Sequence, residues 1–257
     1  VPLCESLKVR RRVNAGEGGI EILVADMTVA YKMIRETFTS RVTLDRPRLM
    51  GILNVTPDSF SDGGKYDGLE AALTQAEALK AADILDIGGE STRPGAALVE
   101  QEAEIARTAP VIAALRTRGF VRPISIDTRK AAVARAAMAA GADLINDVSA
   151  MQFDTEMAQA MALSGAPICL MHAQGAPETM QDDPHYGDVL YDVYDALAAR
   201  VAQAEAAGIP RARILMDIGI GFGKTLAHNL ELLRGIALFD VLGCPLRLGV
   251  SRKRFIG

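Results

Sequence analysis

One unit recurs along most of this chain: a short apolar run ending in a polar residue or glycine, a loop, then a longer Ala/Leu-rich stretch with helical spacing. The apolar runs fall at 50–55, 84–88, 124–128, 144–149, 167–172, 214–219 and 246–251. The helical stretches fall at 69–82, 102–118, 130–140, 154–164, 189–207 and 229–239. A parallel strand needs a crossover to bring the chain back, and crossover helices cover both faces of the sheet. Its strands therefore read as continuous apolar runs rather than as alternation. Gly141 and Gly208 stand just past two helical stretches, where a left-handed cap favours glycine.

The length of 257 residues suits a (β/α)8 barrel, which takes roughly 250. A doubly wound open sheet is the competing architecture. It requires a Gly-rich turn after an early strand, and the first run leads instead into Thr56-Pro57-Asp58-Ser59-Phe60-Ser61-Asp62-Gly63-Gly64, which lacks G-x-G-x-x-G. The expected fold is thus a TIM (β/α)8 barrel with seven strands visible. Seven alone would leave two bare ladder edges, so the eighth β/α unit is expected beyond Gly257. The alternative is a permuted eighth unit made of 20–25 and the helix-like 29–38. Otherwise 1–48 is an N-terminal extension, with 41–45 a possible hairpin plugging the barrel bottom, and 49–257 is the barrel domain.

Bulk properties narrow the function. The net charge is −4, without a Lys/Arg-rich tail, so a nucleic-acid partner has no electrostatic footprint. The basic run from Lys8 to Arg12 reads as a solvated segment. No apolar run reaches the ~18 residues of a membrane helix. Cys4, Cys169 and Cys244 have no C-x-x-C spacing, and the last two sit in or beside apolar runs as small hydrophobes. A reducing compartment, the cytoplasm, is the expectation.

Polar residues collect where the strands end: Asn54, the stretch Glu90-Ser91-Thr92-Arg93, Asp127, Asn146 with Asp147, His172, Asp217, and Ser251-Arg252-Lys253. In a barrel these positions converge on the face that carries active sites. Asp127, Asn146 and Asp217 offer acceptors and a donor in the pattern that a pterin or guanine edge requires. A metal site built from the same carboxylates is the alternative, but His172, His185 and His228 lack ligand spacing and no H-E-x-x-H occurs. Thr92, Arg93, Ser251, Arg252 and Lys253 add donors and positive charge that suit a diphosphate or carboxylate.

The stretch from Gly219 to Thr225 fails the P-loop pattern, because Ile218 stands where its first glycine belongs. It fails the dinucleotide pattern because Lys224 stands where glycine is needed. It reads as a loop allowing close backbone approach to a flat ligand, with Phe222 available for packing, or else as a plain connector. No Ser-His-Asp or Cys-His arrangement suggests a covalent nucleophile.

Together these segments, from Pro47 to Gly257, resemble the dihydropteroate synthases, a family of pterin-binding enzymes. The most specific motifs are the segment from Met50 to Gly64 and the segment from Asp86 to Gly95. Ser125-Ile126-Asp127-Thr128, Ile145-Asn146-Asp147, Leu170-Met171-His172, Gly221-Phe222-Gly223-Lys224 and Ser251-Arg252-Lys253 support them. The resemblance implies condensation of a pterin methyl diphosphate with 4-aminobenzoate, in a homodimeric enzyme that sulfonamides target. It implies that Asn54 helps hold Mg2+ and that Thr92 and Arg93 contact the diphosphate. Asp127, Asn146, Asp217, Lys253 and Met171 would hold the pterin, with Asp127, Lys253, Arg93 and Asp217 central to catalysis. Phe60, Pro94 and Phe222 would line the 4-aminobenzoate site, whose carboxylate would lie near Ser251 and Arg254.

Two other readings share the acidic pocket: a methyltetrahydrofolate-dependent methyltransferase domain and a non-catalytic pterin-binding relative. The chain departs from the family pattern at Ile218, where relatives have proline, and at Arg247, where the strand expects an aliphatic residue. The family's Arg-x-His, a further diphosphate contact, is expected with the eighth unit beyond Gly257.

Overall fold

A computed structural model describes residues 46–56, 65–91, 97–175 and 179–249. Seven parallel strands form one sheet in chain order: β1 Met50–Asn54, β2 Ile84–Gly88, β3 Ile124–Asp127, β4 Leu144–Asp147, β5 Ile168–Met171, β6 Ile214–Asp217 and β7 Leu246–Arg247. Between them run α1 Lys65–Ala78, α2 Gln101–Thr117, α3 Ala131–Ala140, α4 Met157–Ser164, α5 Val189–Ala206 and α6 Leu226–Arg234.

One contact reveals the sheet's curvature. The Arg247 guanidinium on β7 lies 3.3 Å from the Asp86 carboxylate on β2. Five strand spacings in a flat sheet would separate them by about 24 Å. The sheet is therefore rolled into most of a barrel, as the repeat pattern predicts. The candidate segments 20–25, 29–38 and 41–45 lie outside the described residues.

Two cores follow from the pleat. Outside the barrel, Ile87, Ile126, Ile145, Leu170 and Met216 pack under the helices against Ile112, Val133, Met161 and Val193, all fully buried. Each such side chain contributes roughly 1.5–3 kcal/mol on leaving water. Inside, Ile84, Leu144, Cys169 and Leu215 form a small apolar floor with Met50 packed on it. Cys169 and Cys244 are free and buried, in keeping with their reading as small hydrophobes. No helix among the described residues is long and apolar enough to cross a membrane.

Several boundaries differ from the sequence expectation for identifiable reasons. The fourth helix starts at Met157 rather than 154. Asp154 is taken up in capping: one oxygen accepts from Glu156 N at 2.9 Å, the other from Ala131 N at 2.7 Å, at the start of α3. The last helix starts earlier, at Leu226, because Thr225 and His228 form a reciprocal capping box. It ends at Arg234. Gly235 breaks it, and Ile236–Leu242 continues as 3-10 helix. Gly141 and Gly208 both take the left-handed conformation expected of them, at φ 109° and 92°.

Where β1 enters the sheet, the Asp83 carboxylate accepts from Arg46, from Arg48 at 3.2 Å and from Leu49 N at 2.9 Å. Arg46 foremost, then the Leu49 N–H, lowers its pKa to about 2.

Candidate active site

Side chains alternate across a strand, so registered neighbours share a face. The pairs Ile52–Asp86, Asp86–Ser125, Asp127–Asn146, Met171–Asp217 and Asp217–Arg247 therefore all point into the barrel, above the apolar floor. Hydrogen bonds bear this out. Asn146 Nδ2 donates to Asp86 Oδ2 at 3.0 Å, and Arg247 donates to Asp217 Oδ2 at 3.0 Å and to Asp86 Oδ2 at 3.3 Å. A longer contact of 3.5 Å joins Arg247 to Asn146 Oδ1.

The result is an acidic cradle whose polar side chains come from β2, β3, β4, β6 and β7. Three of its buried polar atoms, Asp86 Oδ1, Asp127 Oδ1 and Ser125 Oγ, have no hydrogen-bond partner among the described residues. Such atoms are costly in a folded protein unless something else supplies the partner. Two of the three are carboxylate oxygens, so the missing partner is a hydrogen-bond donor. Burial first, and then the Asp86 carboxylate, pushes the Asp127 carboxyl well above the usual carboxylate range, with Arg247 pulling the other way.

The structure thus brings Asp127, Asn146, Met171 and Asp217 together at one end of the barrel. Asn54 ends β1 on the same rim. Gly88 lies between it and Asp127: a methyl there would sit 3.6 Å from Asp127 Cβ and 3.8 Å from Asn54 Oδ1, so glycine leaves that part of the rim open. The Asn54 amide has no hydrogen-bond partner among the described residues, and no cluster of three or more His, Cys, Asp or Glu side chains poised for a metal occurs among them. Phe60, Thr92, Arg93, Pro94, Ser251, Lys253 and Arg254 lie outside the described residues.

Asp147, also a strand-end residue, turns out of the cradle. Its oxygens accept from Ser149 N and Oγ at 2.8 and 2.6 Å and from Met151 N at 2.6 Å. Its carboxylate stabilises a turn in which Ala150 and Met151 have φ of 49° and 64°.

The glycine-rich loop after β6 packs against the loop after β5. A side chain at Gly219 would place its Cβ 1.8 Å from His172 O, and one at Gly223 would place it 2.4 Å from Gln174 O. Gly219 and Gly223 thus admit the backbone that follows β5. Lys224 ties the two loops together from inside. Its Nζ reaches Phe222 O at 2.9 Å, Gly219 O at 3.0 Å and His172 Nδ1 at 3.0 Å. Phe222 itself is only partly buried on this loop.

A second polar cluster lies just past the end of β2. Glu90 accepts from Arg129 at 3.1 Å and from Val99 N at 2.9 Å, so it joins the two ends of the segment 91–98. Lys130 bridges Glu90 at 3.1 Å and the fully buried Glu104 at 2.6 Å. Burial raises the Glu90 pKa, but Arg129 and the Val99 N–H more than offset that, and the net shift is downward.

Sequence reasoning missed this cluster because its partners are 39 and 26 residues apart. It quoted Asp86 within a motif without assigning it a place. A carboxylate in the middle of a five-residue buried strand was the available signal.

Comparison with known proteins bears on the same residues. Residues 50–257 match the family described as pterin binding enzyme. The dihydropteroate synthase of Synechocystis sp. is 48% identical over 214 residues, which span 82% of this chain and 74% of that protein. A solved structure of Xanthomonas albilineans dihydropteroate synthase with 4-aminobenzoic acid superposes with TM-score 0.77 at 49% identity, covering 84% of this chain and 77% of that one. The same organism's enzyme in complex with 7,8-dihydropteroate gives TM-score 0.74 at 45% identity, over 85% and 78% of the two chains.

Proposed function

The chain belongs to the pterin binding enzyme family, and we propose that it acts as a dihydropteroate synthase, joining a (7,8-dihydropterin-6-yl)methyl group, released from its diphosphate, to the amine of 4-aminobenzoate. The observation that carries this reading is the pair of carboxylate oxygens without a partner among the described residues, Asp86 Oδ1 and Asp127 Oδ1, in a cradle that also holds Asn146 and Asp217. A pterin presents its 2-amino and ring N–H donors along one edge. Those donors are what such oxygens lack, and charge-assisted bonds of this kind are short and strong.

The reaction breaks the C–O bond between the pterin methylene and diphosphate and forms a C–N bond to the arylamine, which gives up a proton. The electron-rich ring can carry positive charge at the methylene, so departure of diphosphate before amine attack fits the chemistry. The protein then has two tasks: to stabilise a cation on the ring and to hold a departing anion. Asp127 suits the first. Burial and Asp86 disfavour its charge, and a cation forming beside it offsets that. Arg93 and Lys253 complete the catalytic set with Asp217, and Lys253 joins Asn146 and Met171 in holding the pterin.

Thr92, Arg93 and Asn54 serve the second task. A lone neutral oxygen at the rim fits Mg2+, which binds through one or two protein oxygens and fills its shell with phosphate and water. Asn54 would hold it, and the ion would neutralise charge on the diphosphate. The 4-aminobenzoate site falls to Phe60, Pro94, Phe222, Ser251 and Arg254.

The test is direct. Purified protein supplied with the pterin diphosphate and 4-aminobenzoate should form 7,8-dihydropteroate and diphosphate in equal amounts. Binding of pterin without product would favour the non-catalytic relative. Methyl transfer from methyltetrahydrofolate in place of condensation would favour the methyltransferase domain.

A further inference from the structure

Arg247 is the one cation that the described residues place in the cradle, and nothing in the family resemblance gives it a role. Register with Asp217 turns its side chain inward, at a position where the strand pattern calls for an aliphatic residue. An unpaired charge there would be prohibitively costly. Instead the guanidinium joins three strands. It donates to Asp217 Oδ2 at 3.0 Å and Asp86 Oδ2 at 3.3 Å, with Asn146 Oδ1 at 3.5 Å. Both carboxylate side chains are 2% exposed, and Arg247 is 17% exposed.

The titratable groups that face it are Asp86 from β2, Asp127 from β3, Cys169 from β5 and Asp217 from β6. Three carboxyl groups in one buried space cannot all stay ionised without a cation among them. Arg247 also helps fix the carboxylate plane of Asp217. Gly219 N–H takes Oδ1 at 2.8 Å, and the guanidinium takes Oδ2.

We propose that Arg247 is a positioning residue of the heterocycle site, which holds Asp86 and Asp217 as an oriented pair for the donor edge of the ligand. This inference rests on the pterin reading above. In chains with an aliphatic residue at this place, that counter-charge must come from elsewhere. Here it is built into the wall. An acceptor already oriented spares the ligand the cost of arranging it.

The experiment is calorimetric titration of the full chain with 6-hydroxymethylpterin, which carries no leaving group, in two buffers of different ionisation enthalpy. Arg247→Met keeps length and bulk but removes the cation, so the cluster takes up a proton that the ligand must expel. The expected result is binding weaker by about tenfold or more, with about one more proton released per ligand than in the wild type.

Arg247→Lys keeps a charge but loses the planar fork that reaches Asp217 through one nitrogen and Asp86 through the other, and should bind several-fold more weakly. That variant decides the matter if the methionine variant does not fold. Equal or tighter binding by the variants, with unchanged proton release, would overturn the role of Arg247 while leaving the pterin site standing. A wild-type protein that binds no pterin at all would overturn the pterin reading and this inference with it.

Discussion

Lowering the pH from about 7.5 to about 5 should cost this fold about 2 kcal/mol through His172 alone. The Nζ of Lys224 lies 3.0 Å from His172 Nδ1. An ammonium group only donates, so the imidazole must accept through Nδ1 and carry its proton on Nε2. Burial first, and then the charge of Lys224, lowers the His172 pKa from 6.5 to about 3. The unfolded chain therefore binds a proton that the folded chain refuses. The stability involved is complete above the unfolded value of 6.5 and is lost as the pH falls toward about 3. At pH 5 the loss has run for about 1.5 pH units at about 1.4 kcal/mol each, which gives about 2 kcal/mol.

Urea unfolding of the wild type and of His172→Gln at both pH values reads this difference. Glutamine still offers Lys224 an acceptor but does not titrate. Carboxylates common to both proteins, including Asp127 and Asp147 whose raised pKa values act with the opposite sign, cancel in the comparison. The wild type should lose about 2 kcal/mol more than the variant. Equal losses would show that His172 is not the neutral partner of Lys224.

Asp127→Asn should lower turnover by about 10²–10³ without weakening the fold, because burial already disfavours the charge it removes; an unchanged rate at saturating substrates would take Asp127 out of the chemistry. Lys130→Met should destabilise by about 3–5 kcal/mol in denaturant titration, since it strands the fully buried Glu104 without a cation. A loss below about 1 kcal/mol would mean that Glu104 is accommodated some other way. Gly219→Ala should cost clearly more than Gly208→Ala. Both have positive φ, worth about 1–2 kcal/mol to a non-glycine residue, but only Gly219 also meets backbone, at 1.8 Å, while nothing lies within 4 Å at Gly208. Equal melting temperatures for these two variants would contradict the packing described for the loops after β5 and β6.

The parallel strands, their order of appearance, the capping glycines and the strand-end positions of Asn54, Asp127, Asn146 and Asp217 were all legible in the sequence. Each depends on a local pattern: an apolar run, a helical period, a glycine just past a helix. What such patterns cannot express is which partner a charge meets. Arg247 read as a charge out of place until the curl of the sheet carried β7 round to β2, and the cost of burying it was offset by two carboxylates far away in the chain. Lys224 stood in a loop read for its glycines, and nothing local announced that it would meet carbonyls of its own loop and the imidazole of His172 on the preceding one. Glu90 was legible only as a polar residue past a strand end, and Glu104, Arg129 and Lys130 carried no signal, because the pairing of buried charges is decided by distance in space, and that exists only once the helices have packed onto the sheet.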